Sequence, residues 1–197
     1  MKKNILEQAS TLKENDYYTT PPEFFNALLG FLGIDQFALD PCSPSVSEGL
    51  DASLVVPAHV RYTEEQNGLL QSWNVYENSA ATPCHVFLNP PYSNYEPWIA
   101  KAVEETQAHE NVYVWALLNS SNSQFWQDII TPLMKFRINT RSRVSFYLKG
   151  VQGKNNRYDN VLIHFAKRDN YLQYIENNPK QFPIRGMLFK PGISVGG

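Results

Sequence analysis

The sequence predicts an α/β fold: a doubly wound, mostly parallel sheet covered by helices on both faces, with an antiparallel C-terminal edge. Short apolar runs alternate with amphipathic helical patterns up to residue 134, and patterns typical of hairpin strands follow. Of the 197 residues, 43% are hydrophobic and 18% are charged. A chain of this size and composition can bury one sizeable core, so residues 1–197 are expected to form a single domain.

The first predicted element is a helix that begins near Thr20. Thr20 has a side chain suited to an N-cap, Pro21 suits the first helical position, and Glu23 completes a capping box. Apolar residues then recur on one helical face, and Gly33 is placed to end the helix.

The middle of the chain alternates between buried strands and helices. The apolar run 37–40 ends in Asp40 and meets a proline, which places Asp40 at the carboxyl end of a strand. The polar run 120–123 is expected to cap a helix rather than to contact a substrate. Further strands are expected at 53–56, 85–88 and 112–118, and helices at 96–110 and 123–134.

After residue 134 the pattern changes to alternating apolar and polar residues separated by glycines. Strands are expected at 136–139, 144–148 and 161–165. Because hairpin-connected strands pair antiparallel, these strands should form the antiparallel edge of the sheet. The tail 191–197 is expected to be frayed.

The charges are distributed unevenly along the chain, although the net charge is only −2. Residues 1–134 contain 5 basic and 16 acidic side chains, whereas residues 135–197 contain 12 basic and 3 acidic ones. The two halves could attract each other within one fold. A concentrated basic segment beside a cleft would also attract phosphate groups.

Several classes of site and location are not expected. Cys42 and Cys84 lack the spacing of a disulfide framework or a zinc site, and the four histidines share no metal-ligand spacing. No apolar run reaches the about 18 residues needed to cross a bilayer, and the first residues lack a secretory signal. We therefore expect a soluble, cytoplasmic protein without a metal or a membrane partner.

Two polar residues, Asp40 and Asn89, are predicted at the carboxyl ends of strands. In an open α/β sheet, ligands bind in the crevice beyond these ends. A carboxylate can accept hydrogen bonds from the amino or hydroxyl groups of a nucleoside cofactor, and a side-chain amide can accept from an exocyclic amine. This pair of residues therefore indicates a donor site beside an acceptor site.

The tetrapeptide Asn89-Pro90-Pro91-Tyr92 is the strongest motif in the sequence. Its prolines stiffen the turn and remove two N–H donors, so the Pro90 carbonyl can point into the cleft. The Asn89 side-chain oxygen and the Pro90 carbonyl together supply the two acceptors that an NH2 group needs. Tyr92 would stack on the base that carries this amine.

The same tetrapeptide could be a rigid turn with an aromatic plug. Its position between an apolar strand and a helix favours a functional role over a purely structural one. Any planar amine fits the two acceptors, so a DNA base, an RNA base and a protein glutamine are all compatible with the motif. A catalytically silent DNA-binding module is a further alternative, which the intact motif and Asp40 disfavour.

The chain resembles the phage-encoded DNA N6-adenine methyltransferase family over about residues 17 to 165. The fragments that carry the resemblance are Tyr18-Thr19-Thr20-Pro21, Leu39-Asp40-Pro41-Cys42, Tyr62-Thr63-Glu64, Gly68-Leu69 with Trp73, and Phe87-Leu88-Asn89-Pro90-Pro91-Tyr92. The resemblance implies a Rossmann-like methyltransferase fold, S-adenosylmethionine as methyl donor, and adenine N6 of double-stranded DNA as acceptor. It also implies a flipped-out base, a bacterial host cytoplasm, and a role in shielding viral DNA from restriction.

The resemblance assigns roles to matching residues. It implies that Asn89, Pro90, Pro91 and Tyr92 form the catalytic motif and that Asp40 is the acidic anchor of the cofactor. Ser43-Pro44-Ser45 stands where a glycine-rich loop is common, and Asn67 stands where the family often has an acidic residue. The cofactor site implied in this way comprises Thr19, Thr20, Pro21, Asp40, Pro41, Cys42 and Asn67.

A basic segment at about residues 135–160 is the expected DNA contact region. Only 48 residues separate Asp40 from Asn89, too few for a recognition domain, so target recognition should lie downstream. Each basic side chain could also belong to a solvated hairpin, but the group as a whole favours phosphate contact. The DNA-binding residues expected here are Arg137, Arg141, Arg143, Lys149, Lys154 and Arg157.

Overall fold

A computed structural model describes residues 18–45, 51–76, 79, 81–148, 150–153 and 158–191. The helices are α1 (Pro22–Leu32), α2 (Glu96–Ala108), α3 (Thr131–Leu133), which directly follows a π-helix (Trp126–Ile130), and α4 (Leu172–Asn177). The strands are β1 (Tyr18–Thr19), β2 (Phe37–Asp40), β3 (Ala58–Arg61), β4 (Cys84–Leu88), β5 (Val112–Asn119), β6 (Phe136–Thr140), β7 (Tyr147–Leu148), β8 (Val151–Gln152), β9 (Asn160–Ala166) and β10 (Gly186–Phe189).

The main sheet has seven strands in the order β10-β6-β9-β5-β4-β2-β3. Strands β3, β2, β4 and β5 pair in parallel, with Leu39 opposite Val86. Strand β9 pairs antiparallel with both β5 and β6, and β10 pairs antiparallel with β6. The carboxyl ends of β2, β4, β5 and β6 therefore lie at one edge of the sheet, where α/β proteins bind ligands.

Alternation along the strands sends apolar side chains to both faces of the sheet. Val86 and Val114 belong to a cluster with the α2 residues Ile99 and Ala102. Phe87, the next residue along β4, belongs to a second cluster that contains buried side chains of α1 and α4. Helices thus cover both faces, which confirms the predicted α/β class with parallel strand pairs.

The predicted N-cap of α1 is wrong. Pro21 occupies the cap position and makes no side-chain hydrogen bond there, and the helix starts at Pro22. The Thr20 side chain is buried, and its hydroxyl has no hydrogen-bond partner. The helix end is confirmed, because Gly33 adopts the left-handed conformation with φ of 68°.

The strand predicted at 53–56 is also wrong. Residues Ala52–Leu54 form a 3-10 helix, because the Asp51 carboxylate accepts a hydrogen bond from the Ser53 N–H at 2.9 Å. The strand of this region is β3, which begins after Pro57. The other parallel strands and α2 lie within two residues of their predicted bounds.

The C-terminal region is antiparallel as predicted, but its arrangement differs from a simple sheet edge. Strand β9 is inserted between β5 and β6, and three of the six strand pairings of the sheet are antiparallel. Only Tyr147–Leu148 of the predicted strand 144–148 is extended, and it pairs with β1 and β8 in a separate three-stranded sheet. The sequence analysis did not predict α4 and β10, and the expected frayed tail lies outside the described residues beyond 191.

Two further features of the described residues are the helix cap at 120–123 and the character of the helices with respect to a membrane. The polar run 120–123 caps the next helical segment as predicted, since the Ser123 hydroxyl accepts a hydrogen bond from the Trp126 N–H at 3.4 Å. Within the described ranges, no helix combines the length and the apolar character that a bilayer crossing requires.

Candidate active site

The proline corner lies directly after the buried strand β4. Leu88 is the last strand residue, and the following prolines cannot continue the ladder. The Pro91 carbonyl accepts a hydrogen bond from the Asn94 N–H at 3.1 Å, which starts a 3-10 helix over Tyr92–Asn94. The corner is therefore held on both sides, by a central strand and by a helical turn that leads into α2.

The Asn89 side chain is oriented with its oxygen unpaired. Its amide nitrogen Nδ2 donates to the Tyr18 carbonyl at 3.4 Å. Its oxygen Oδ1 is buried and has no hydrogen-bond partner. Because buried polar atoms are almost always paired in folded proteins, this oxygen is a ready acceptor for a ligand amine.

Tyr92 lies between the two apolar clusters of the protein. Its ring meets the Phe146 ring edge to face, with the ring centres 5.8 Å apart. Its hydroxyl is buried without a partner, and burial raises the pKa of Tyr92 far above its ordinary value. The Tyr92 side chain is therefore neutral at neutral pH, and its ring packs against Phe146 after the proline corner.

The segment that contains Thr19 and Thr20 is fixed by a long-range pairing. Thr19 lies opposite Tyr147 in the pairing of β1 with β7, and its hydroxyl donates to the Tyr147 carbonyl at 3.4 Å. This pairing sets the Tyr18 carbonyl against Asn89 and leaves the Thr20 hydroxyl buried and unpaired. Thr20, Asn89 and Tyr92 thus each have one buried side-chain polar atom without a hydrogen-bond partner.

Asp40 ends β2, the strand next to β4. Its side chain is only 3% exposed, and Oδ1 accepts a hydrogen bond from the Cys42 N–H at 3.1 Å. Desolvation raises the pKa of Asp40 to about 7, although the Cys42 N–H and the nearby Arg61 lower it. The carboxyl group consequently changes its charge near neutral pH, which is unusual for an aspartate.

The loop after Asp40 packs tightly against the turn at Gly68. A Cβ atom on Gly68 would lie 2.2 Å from the Pro41 carbonyl oxygen, so only glycine fits this position. The Trp73 indole donates to the Gly68 carbonyl at 2.8 Å, which anchors the turn in the core. Asn67, at φ of 49°, caps this turn by accepting from the Leu69 N–H at 3.2 Å.

The two cysteines are free thiols, as expected. Burial is the largest cause that raises the pKa of Cys42 well above its ordinary value, and the nearby Asp40 carboxylate raises it further. Cys42 therefore offers a neutral thiol beside Asp40, while its backbone N–H is already bound by the Asp40 carboxylate. In the part of the chain that the structure describes, no three His, Cys, Asp or Glu side chains group as metal ligands would.

The structure separates the predicted DNA-binding residues. Arg137 is held between two aromatic rings, with Cζ 4.9 Å from the centre of Phe189 and 5.8 Å from that of Trp126. Burial lowers the pKa of Arg137, and its Nε atom has no hydrogen-bond partner. This contact gives Arg137 a packing role in the sheet that the sequence pattern did not indicate.

The other predicted cations lie nearer the carboxyl edge or outside the described residues. Arg141 directly follows β6 and is exposed. Arg143 is also exposed, and its Nε lies 3.2 Å from the Asp159 carboxylate. Such an exposed pair contributes little to stability. Lys149, Lys154 and Arg157 lie outside the described residues.

Asn160 is a buried residue of the site region that sequence reasoning missed. Its amide donates to Asn119 Oδ1 at 3.0 Å and accepts from the Val144 N–H at 2.8 Å. Its own carbonyl accepts from the Thr140 hydroxyl at 3.0 Å. Asn160 thus ties the carboxyl ends of β5 and β6 to the segment that carries Phe146, and no local pattern in the sequence marks this role.

Comparisons with known proteins identify the family to which the chain is similar. A family model described as "DNA N-6-adenine-methyltransferase (Dam)" matches residues 8–170. A curated relative from Haemophilus phage HP1 (strain HP1c1), named "DNA N-6-adenine-methyltransferase", is 26% identical over 171 residues. The aligned region covers 85% of this chain and 88% of the relative. The resemblance that the motifs indicated is thereby confirmed.

Proposed function

Because the chain belongs to the DNA N-6-adenine-methyltransferase (Dam) family, we propose that it methylates N6 of adenine in double-stranded DNA with S-adenosylmethionine as donor. The observation that carries this proposal is the buried, unpaired Asn89 oxygen at a proline-stiffened corner, one strand away from Asp40. In a Rossmann-like methyltransferase, the cofactor and the acceptor meet at this edge of the sheet.

The residues around Asp40 fit a nucleoside cofactor with a charged amino acid tail. The Asp40 carboxylate can accept from hydroxyl or amino groups, and the unpaired Thr20 hydroxyl can donate or accept. When bound, S-adenosylmethionine supplies an electrophilic methyl group. The proposed cofactor contacts are Thr19, Thr20, Pro21, Asp40, Pro41, Cys42 and Asn67.

The acceptor amine is proposed to bind the corner itself. The Asn89 Oδ1 atom and the Pro90 carbonyl accept its two hydrogens, which pulls the nitrogen away from conjugation with the ring and frees its lone pair. The Tyr18 carbonyl keeps the Asn89 amide from rotating, because it holds Nδ2 at 3.4 Å. The Asn89 oxygen is therefore positioned before the substrate arrives, so little reorganisation is needed at the moment of reaction.

A base in a duplex cannot present its amine to a buried corner, so the adenine is proposed to flip out of the helix. The Tyr92 ring provides a stacking surface, and such stacking contributes about 1 to 3 kcal/mol per base. This offsets much of the energy of unstacking. The exposed Arg141 and Arg143, with Lys149, Lys154 and Arg157, are proposed to contact the DNA backbone.

The reaction can be tested with cofactor that carries a tritiated methyl group. We expect label to enter unmethylated duplex DNA, but not a duplex in which every adenine already carries an N6-methyl group. Label in cytosine, in RNA or in a release-factor glutamine would contradict the adenine assignment. No label in any acceptor, with cofactor binding intact, would favour the silent DNA-binding module.

The role of the corner is tested by Asn89→Ala, with Asn122→Ala as the matched control. Asn122 is exposed and belongs to the run 120–123 that caps the helical segment after β5. Loss of a fixed acceptor should lower kcat by about 100-fold or more. Cofactor affinity should stay near that of the wild type. If Asn89→Ala abolishes cofactor binding instead, the proposed division between donor and acceptor sites is wrong.

A further inference from the structure

A broad groove of about 1220 Å³ lies between β6, β10 and the segment around α4. One wall is formed by Thr140 and Arg141 at the end of β6. The other wall comes from residues 175–188, which lie beyond the family match at residues 8–170. The groove is larger than the roughly 300–1,000 Å³ of ordinary small-molecule pockets, so its size suits a macromolecular ligand.

The groove is positively charged. Arg141, Lys180 and Arg185 line it, and all three are exposed. Across the described residues, no carboxylate lies within ion-pair distance of these three cations. Glu176 also lines the groove, but its carboxylate pairs with Lys190 at 2.5 Å.

Two of the cations are held side by side. The Arg141 N–H donates to the Arg185 carbonyl at 2.7 Å, which extends the pairing of β6 with β10 by one step. Like charges on directly opposed strand residues are destabilising. An anion bound between the two guanidinium groups would remove this repulsion.

Part of the groove floor is formed by the backbone of Gly186, which has no side chain. A Cβ atom on Gly186 would lie 2.0 Å from the Asn139 carbonyl oxygen, so glycine is required where β10 approaches β6. The floor therefore has no side chain at Gly186.

The groove starts at the edge of the sheet that carries the proposed active site. Its residue Thr140 donates to the Asn160 carbonyl, and Asn160 in turn binds Asn119 at the carboxyl end of β5. Strand β5 is the direct neighbour of β4, which leads into Asn89. The groove and the Asn89 corner therefore lie at the same edge of the sheet.

We propose that this groove binds the phosphate backbone of the duplex that flanks the target adenine, through Arg141, Lys180 and Arg185. The inference rests on the proposed function, because it takes DNA as the substrate. It adds a DNA contact surface built from the segment beyond the family match. Cationic side chains free of carboxylates are the groups that displace counterions from phosphates.

The test uses the full-length double variant Lys180→Gln/Arg185→Gln. The matched control is Lys167→Gln/Arg168→Gln, which removes the same charge just past β9, where both side chains lie near Glu110 at the opposite edge of the sheet. Binding of a labelled duplex is measured between roughly 50 and 200 mM salt. Loss of two phosphate contacts should make the slope of log affinity against log salt shallower by about 1.8.

The outcomes separate this inference from the proposed function. A shallower slope for the groove variant alone supports the inference, whether or not the protein methylates adenine. Equal slopes for the two variants overturn the inference, even if methylation is normal. A groove variant that keeps its DNA slope but no longer binds polyglutamate would assign the groove to an acidic protein, and would overturn the inference as well.

Discussion

Asp40→Asn should stabilise the protein at alkaline pH while weakening its cofactor binding. Burial holds the pKa of Asp40 at about 7, against an ordinary value of 3.8. The folded state therefore binds the proton more tightly than the unfolded state does. The protonated Asp40 carboxyl group therefore contributes stability that is fully present below pH 3.8 and is lost as the pH rises towards 7.

The size of the effect follows from the pKa difference. The folded and unfolded pKa values of Asp40 differ by about 3 pH units. At 1.36 kcal/mol per pH unit, this difference corresponds to about 4 kcal/mol of unfolding free energy, which is lost once the carboxyl group is ionised. Asparagine keeps the oxygen that accepts from the Cys42 N–H, but it never carries the charge. The variant should gain up to about 4 kcal/mol over the wild type at pH 8 and less than about 1 kcal/mol at pH 4.

Urea unfolding of both proteins at the two pH values measures the gain, and calorimetric titration measures cofactor affinity. In the wild type, affinity should rise between pH 6 and pH 8 as the carboxylate forms, and the variant should bind weakly throughout. Asp128→Asn, an exposed acid in the π-helix, is the control and should alter neither property. A variant that is destabilised at pH 8, or that keeps the wild-type pH profile of affinity, would refute the reasoning.

The remaining predictions concern packing and acid sensitivity. Gly68→Ala places a Cβ atom 2.2 Å from a carbonyl oxygen in the loop after Asp40, so it should cost about 1 to 3 kcal/mol of stability and weaken cofactor binding. In the control Gly30→Ala, the added Cβ atom on helix α1 would have no atom within 4 Å, so the variant should be more stable by about 0.5 to 1 kcal/mol. Equal effects of the two substitutions in urea unfolding would count against the close-approach argument. Burial lowers the pKa of His85 to about 4 and of His164 to about 3, so both are neutral when folded, and stability should fall as the pH drops from 6.5 towards 4. His85 alone should account for about 3 kcal/mol, and urea unfolding in the Asp40→Asn background, which removes the opposing trend, should show the loss; a flat profile there would contradict it.

Local sequence signals were sufficient wherever an element is buried on both faces. The apolar runs of β2, β4 and β5 have no exposed face, so their positions could be predicted without knowing their neighbours. The same holds for the ends of elements that a single residue fixes. Gly33 ended α1 as predicted, and Pro90 and Pro91 ended β4.

Local signals failed where a long-range contact decides the structure. Thr20 has the chemistry of an N-cap, but the pairing of β1 with β7 holds the preceding residues, and its hydroxyl is buried without a hydrogen-bond partner. Residues 144–146 alternate like a strand, but the buried Asn160 amide binds the Val144 N–H instead of a neighbouring strand. Both competing interactions join residues far apart in the chain.

The sequence by itself determined the family, the α/β class and the identity of the corner Asn89-Pro90-Pro91-Tyr92, because these depend on residue type and on order along the chain. Only the tertiary structure decided which atoms of that corner remain unpaired. The Asn89 oxygen is left unpaired because a carbonyl 71 residues away binds the nitrogen of the same amide. The elevated pKa of Asp40 likewise depends on the burial that the assembled sheet imposes, which no stretch of sequence encodes locally.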